Sequence, residues 1–411
     1  MTSLDCPTEN PRPVAPSPPR SGDRVGPGDL VLSLLRLTVA ILLCMQLLTA
    51  VLVVGWVARW MQRTIHRGWW RSSPSRSRIG WRHYATGLPA SLPRGLTPRW
   101  LVHERARELW SAPRPDGRPA LWRTRFARLP LILFGSLAAN ARAGLTILLA
   151  TALLTAPGSF LMLAGWQYGW DISFHKVYEQ ALIGRITFLI GAAAFIAALM
   201  YLPLAIPHLA VTGQLREFFR IRLIRRLNRH TPLGLTLYAA AFVLLSLPGY
   251  LAWVRLYTLI NEPAHAWLQD ATTQQIQAFR ESYATNTTLL IAPAYLVIHL
   301  VAAALYRRAL PRCLVREPAL RAELEPALAH GLEQLDLVEP TTGRLRLPLV
   351  RAILGTARSG WATALACARL ALWSLLVVLM LVSQFLHAHP FWIWFNPWLL
   401  GLPCARWYPS V

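Results

Sequence analysis

The chain has 411 residues, of which 54% are hydrophobic and only 15% charged. Soluble domains carry about 25% charged residues, so this composition lacks the polar surface for water-soluble domains, and it excludes wholesale disorder, collagen and a disulfide scaffold. The net charge is +23 and Lys176 is the only lysine, so the basic side chains are almost all arginine.

Residues 1–28 hold seven prolines with Ser, Gly and mixed charge. This pattern predicts a disordered tail. No continuous apolar stretch precedes residue 28, so a standard cleaved signal peptide is not expected. A first transmembrane helix is expected within residues 29–57, centred on the apolar run Leu37–Val57. Such a run is long enough, since a hydrocarbon core of ~30 Å needs about 20 helical residues.

Residues 58–142 form an Arg-rich segment with 17 Arg and three acids. It opens with Arg59, Arg63, Arg67 and Arg71 at four-residue intervals. If the first helix continues, this spacing makes one cationic stripe, accompanied by Trp56, Trp60, Trp69 and Trp70 at the membrane boundary. Thr97–Pro98 reads as an N-cap with proline at N1, opening a helix to Ala112. Leu129–Ala141 is apolar but too short to cross alone. It reads as an interfacial or re-entrant helix ending near Arg142, and six spans become seven if it crosses.

Residues 143–306 hold four runs of spanning length: Ala143–Trp166, Ile186–Pro207, Leu233–Val254 and Thr287–Tyr306. Pro157, Pro203, Pro207, Pro248 and Pro293 read as packing kinks. Pro263–Ser282 could form a short helix over the membrane. Residues 307–360 read as an amphipathic segment, with Leu320, Leu324, Leu328 and Leu332 lining one face of a helix from Pro318 to Asp336. The last span lies in 361–386 and reaches full length only if Arg369 snorkels. Residues 387–411 form an aromatic interfacial end.

The fold class is therefore an all-α, polytopic transmembrane helical bundle of about six spans. Charge placement orients it. The three segments 58–142, 208–230 and 307–360 together hold 32 basic and ten acidic residues. The alternate segments 1–36, 167–185, 255–286 and 387–411 hold nine of each. Basic loops stay in the cytoplasm, so those three are expected inside and both termini outside.

Segment 208–230 carries Arg216, Arg220, Arg222, Arg225, Arg226 and Arg229. On one helical wheel they surround the axis, so a clean amphipathic helix is not expected there. The run Pro207-His208-Leu209-Ala210-Val211-Thr212-Gly213, then Phe218-Phe219, then Arg225-Arg226-Leu227-Asn228-Arg229 and a new span from Leu233 resembles a segment of uncharacterised bacterial multi-pass proteins of the domain-of-unknown-function type. The resemblance covers about residues 186–260. It implies a bacterial inner-membrane protein and transfers no catalytic residue.

Few motifs carry chemistry. The five cysteines form no CxxC pair, which supports neither disulfides nor zinc. His387 and His389 precede an aromatic cluster and read as part of an interfacial belt. His299 falls inside the fifth run, and an intramembrane ionisable group is a functional candidate. None of the apolar runs contains Asp or Glu, and no phosphate loop, zinc helix or nucleophile elbow occurs. No cofactor and no nucleic acid are expected. These features predict a non-enzymatic membrane component that contacts the bilayer, anionic phospholipids or acidic partners through Arg59, Arg63, Arg67, Arg71, Arg216, Arg220, Arg225 and Arg226. The alternatives are a permease or channel for a small solute, anionic or otherwise, and a membrane-embedded lipid-modifying enzyme.

Overall fold

The computed structural model describes residues 27–86, 97–100, 122–171, 181–261, 272–338, 348–385, 395–396 and 399–404. Every regular element among the described residues is helical. Backbone N–H and C=O groups find no water in lipid, so apolar runs of this length must pair them within one segment.

The first helices are α1 (Pro27–Leu43), α2 (Leu47–Ser72) and the short α3 (Trp81–Thr86). The long helices are α4 (Trp122–Trp166) and α5 (Ala181–Thr212). Two short ones follow, α6 (Leu215–Phe218) and α7 (Ile221–His230). The remainder are α8 (Pro232–Asn261), α9 (Thr273–Arg316), α10 (Pro326–Gln334) and α11 (Pro348–Phe385). Among the described residues, five stretches are long and apolar enough to cross a membrane: Leu129–Gly169, Leu182–Thr212, Pro232–Leu251, Thr273–Arg316 and Gly360–Ser383. The chain is a multi-pass membrane protein built as an all-α bundle.

The run Leu37–Val57 is not one continuous helix. The helix breaks at Cys44–Gln46, and Thr49 Oγ1 donates to the Leu43 carbonyl across the break at 2.5 Å. The two arms then double back. Arg36 of α1 donates to the Thr97 carbonyl at 3.0 Å, and the Trp100 indole donates to the Arg36 carbonyl at 3.1 Å. On α2, Trp56 donates to the Pro98 carbonyl at 2.9 Å and stacks on Trp100 with ring centres 4.8 Å apart. Residues 36 and 56 would lie about 30 Å apart in a straight helix. Both touch one four-residue segment, so α1 and α2 form a helical hairpin. Residues 98–100 are not helical, so no helix opens at Pro98. The rest of the helix expected to Ala112 lies outside the described residues, as do most of the tail 1–28, the pair His387 and His389, and most of the aromatic end.

Three further boundaries differ from the sequence pattern. Leu129–Ala141 does not end at Arg142 but continues into the second apolar run as the 45-residue α4. Arg142 is exposed there and does not interrupt the helix, because a long side chain on an outer face costs the backbone ladder nothing. Residues 273–282 are likewise the first turns of α9, opened by a capping box in which Thr272 and Gln275 bond reciprocally. The segment Pro318–Asp336 is two pieces, a 3-10 turn at Pro318–Glu323 and then α10. Pro326 separates them because it cannot continue a preceding helix. Even so, Leu320, Leu324, Leu328 and Leu332 are all buried, as their spacing predicts. The prolines at 157, 203, 207, 248 and 293 lie inside helices that continue through them.

The tightest helix pair is α4 with α5, antiparallel neighbours across a short connection. Glycine permits it: a Cβ on Gly158 would sit 2.7 Å from the Phe195 nitrogen, and one on Gly191 2.6 Å from the Met162 nitrogen. Small residues at such contacts let helices approach where lipid offers no hydrophobic drive. Helix α2 lies against α4, α5 and α9 and is buried along its length, with Met61, Ile65 and Trp69 in the core.

His66 sits in this buried stretch, with Nδ1 2.9 Å from the Tyr84 hydroxyl of α3 and its ring edge-on to Trp69 at 5.2 Å. Burial pushes its pKa down to about 3. The unfolded chain takes up this proton near pH 6.5, so His66 contributes stability at neutral pH that is lost as pH falls below that value. In detergent, unfolding followed from pH 7 to pH 5 is expected to show the wild type losing on the order of 1 kcal/mol more than His66→Phe. Parallel curves for the two proteins would refute this.

Candidate functional site

Helix α2 continues unbroken past residue 57 to Ser72, so Arg59, Arg63, Arg67 and Arg71 do share one helix. They do not share one exposure. Arg59 is 7% exposed and Arg63 4%, whereas Arg71 is open to solvent. Four residues advance a helix by about 400°, so the stripe drifts roughly 40° per step and about 120° over its length. That rotation carries it from the bundle interior to the surface. Arg59 Nη1 donates to Asn140 Oδ1 at 3.0 Å and to the Arg99 carbonyl at 3.3 Å. The expected surface stripe is therefore corrected: Arg59 and Arg63 are interior side chains. The tryptophans are packed as well. Trp56 and Trp69 are fully buried, and each indole N–H meets a carbonyl, Pro98 and Arg307 respectively.

Arg71 opens onto a cleft of about 420 Å³ lined by Gly68, Ser72, Arg307, Arg308, Pro311, Arg312 and Leu337. The cleft forms because α9 runs on as a helix for ten residues beyond Tyr306, the end of its apolar stretch. The last turns of α2 and α9 then lie side by side. The Trp69 indole donates to the Arg307 carbonyl at 2.9 Å and fixes their register. Gly68 allows the close approach, since a Cβ there would collide with Cδ of Arg307. Leu337 lines one wall, and the residues just before it are tied to the end of α2. Ser73 Oγ donates to the Leu335 carbonyl at 2.6 Å, and Ser75 bonds the Asp336 carboxylate.

Four guanidiniums thus line one concavity whose lining contains no carboxylate. Among the described residues, none of the four makes an ion pair. Arg307 lies within electrostatic range of Arg71 and Arg308. Guanidinium is charged at any accessible pH and presents a planar fork that fits phosphate or carboxylate oxygens. The arrangement is chemically suited to an anion.

Of the arginines in 208–230, four make ion pairs. Arg216 Nε lies 3.5 Å from Glu217 Oε1, and Arg220 Nε lies 2.7 Å from Oε2 of the same carboxylate. Arg222 pairs with Glu323 at 3.3 Å. Arg226 and His230 both reach Glu317, at 3.4 and 3.0 Å. Arg225 is exposed. Contrary to the wheel drawn over 208–230, α7 is cleanly amphipathic, with Leu223, Ile224 and Leu227 buried and Arg222, Arg225, Arg226 and Arg229 opposite. A single wheel misleads because the chain breaks twice. Gly213 ends α5 with φ +67°, its N–H donating to the Leu209 carbonyl at 2.7 Å, and a turn at Phe219–Arg220 resets the phase.

One cluster escaped the sequence. Glu217, His208 and Tyr306 are each fully buried. His208 Nδ1 is 2.7 Å from the Tyr306 hydroxyl, and its Nε2 is 3.6 Å from Glu217 Oε2. Arg220 completes the row. The network joins α5, α6 and α9. Glu217 lies outside the apolar runs, so a search of those runs for acids passes over it. It is the single acid within 208–230, and that is the one signal that could have marked it. His299, the intramembrane candidate, is buried with Nδ1 donating to the Tyr295 carbonyl one turn back at 2.8 Å. The cleft does not include it. Among the described residues no three His, Cys, Asp or Glu side chains cluster to hold a metal.

No family model, no curated protein and no solved structure matches the chain.

Removing the acceptor of a charged hydrogen bond costs about 1–3 kcal/mol when the donor is partly buried. Glu217→Ala is expected to fall in that range in detergent unfolding, since Arg220, 32% exposed, loses the carboxylate that holds it. Glu323→Ala, removing a partner from an exposed pair, is expected to change stability by less than about 1 kcal/mol. Equal effects of the two substitutions would show that Glu217 does not hold this network.

Proposed function

We propose that the protein is a multi-pass component of a bacterial inner membrane that holds anionic lipid headgroups on its cytoplasmic face. The supporting observation is the cleft in which Arg71, Arg307, Arg308 and Arg312 converge with no carboxylate in the lining. It opens directly after Tyr306, where the apolar stretch of α9 gives way to arginine, and such a boundary is where lipid headgroups are met. Each basic group near a charged leaflet is worth about 1 kcal/mol, so four supply a few kcal/mol. This narrows the arginine set read from spacing: of the α2 stripe Arg71 enters the cleft, whereas Arg216, Arg220 and Arg226 are engaged with Glu217 and Glu317.

The orientation follows from charge. The Arg-rich segments face the cytoplasm under the positive-inside rule. Five spans and a hairpin that enters and leaves on one face put the N-terminal arm on the basic side and the C-terminus opposite. The first 36 residues carry four basic and four acidic groups, so this placement leaves the charge asymmetry intact. The permease alternative rested on His299 and the prolines, and no observation favours it.

Native mass spectrometry of protein extracted from mixed bilayers tests the lipid reading. Wild type is expected to retain anionic over zwitterionic lipid about tenfold more strongly than a variant with Arg71, Arg307, Arg308 and Arg312 all replaced by Gln, and equal retention would refute it. Orientation has a separate test. In a chain with its native cysteines replaced by alanine, single cysteines at Gly28 and Ser77 are expected to react with an impermeant thiol reagent from one side of the membrane. One at Thr273 should react from the other. Labelling of positions 77 and 273 from the same side would overturn the topology.

A further inference from the structure

We infer that the arginine cleft selects a phosphomonoester dianion over a phosphodiester monoanion. This rests on the reading of the cleft as an anion site and names the class of anion. Two observations carry it, the number of charges and the packing that holds Arg307, and the volume of the cavity is compatible with it.

Four permanent cations share the space, and Arg307 lies within range of both Arg71 and Arg308. Their mutual repulsion is relieved in proportion to the charge the ligand brings. A diester headgroup brings one negative charge and leaves most of it standing. A monoester brings about two at neutral pH. A monoester also presents three terminal oxygens, against two for a diester. Each guanidinium offers up to five N–H donors in a fixed fork, so the donors exceed the acceptors and the third oxygen is used.

The volume suits a terminal group. At about 30 Å³ per water, 420 Å³ has ample room for a phosphate with its hydration or a glycerol attached. Pro311 and Leu337 supply apolar wall beside the arginines, suited to the carbon atoms that follow the ester oxygen.

The cleft is also built in advance. Arg307 lies across the bare backbone of Gly68, and the Trp69 indole holds its carbonyl. A side chain already held in place loses less rotamer entropy on binding. The shared chemistry is the monoester dianion, and two sources can present it: a lipid with a terminal phosphate or a soluble phosphomonoester.

The test uses full-length protein in phosphatidylcholine nanodiscs. Fluorescent phosphatidic acid is the monoester probe and fluorescent phosphatidylglycerol the diester, each titrated from pH 5 to pH 8. The second phosphate ionisation lies near pH 6, and arginine does not titrate in this range. Monoester affinity is expected to rise about tenfold across the titration, while diester affinity stays flat. Glycerol 3-phosphate is the soluble competitor. Displacement of the lipid by millimolar competitor assigns the site to a soluble ligand, and resistance assigns it to lipid, and either outcome supports the chemistry. Arg312→Gln, at an exposed position, should lower monoester affinity several-fold and leave diester affinity within twofold. Gly68→Ala should do the same by dislodging Arg307, with the elution profile reporting whether it folds. Equal affinity for both lipids at every pH overturns the inference and leaves the anionic-lipid reading standing. Binding of neither removes both.

Discussion

A guanidinium cannot give up its charge, so every arginine in an apolar bundle must find acceptors or reach a polar phase. All but one of the 42 basic residues here are arginines. The fold sorts them. Arg59 is interior and bonded to Asn140 and a backbone carbonyl, and Arg220 is spent on the buried Glu217. Arg222 and Arg226 pair across α7 with Glu323 and Glu317. Arg225 and Arg229 reach solvent singly on the outer face of α7. Arg71, Arg307, Arg308 and Arg312 instead converge around one cavity. The functional candidate is defined by that convergence, in a lining that holds four guanidiniums and no carboxylate.

The hairpin of α1 and α2 obeys the same constraint. A straight helix through Leu37–Val57 would have carried Arg36 to one side of the bilayer and Arg59 to the other. Folding back at Cys44–Gln46 brings both toward segment 97–100, where backbone carbonyls receive them. The break contains neither proline nor glycine. It is imposed by partners far along the chain, which is why hydropathy reads the run as one crossing.

Local pattern was informative wherever local physics decided the outcome. The leucine spacing in 320–332 gave the correct buried face although Pro326 divides the helix, because burial follows periodicity more closely than hydrogen-bond continuity does. The five long apolar helices among the described residues follow from apolar length alone. Helix ends were less legible: α9 continues ten residues past its apolar stretch, since arginine is a good helix former and nothing between Arg307 and Arg316 stops it. Pro311 lies inside the helix and does not end it. The cleft was not legible at all. Trp69 and Arg307 are 238 positions apart, and single-chain spacing carries no information on such a pairing. Gly68 was equally silent, because its role appears only once Arg307 lies over it.

The buried network and the open cleft are parts of one arrangement. Tyr306 immediately precedes Arg307. Its hydroxyl is held by His208, which faces Glu217, which is held in turn by Arg220. From α2, the Trp69 ring lies 6.2 Å from Tyr306, and its indole N–H donates to the Arg307 carbonyl. A helix fixed at two successive residues cannot rotate about its axis. The rotation of α9 decides whether Arg307, Arg308 and Arg312 face α2 or the surroundings, since a helix turns about 100° per residue. Satisfying one buried carboxylate therefore sets the angle at which three unsatisfied cations are presented. The cost of desolvating Glu217 is met inside the bundle, and its consequence is expressed at the cleft.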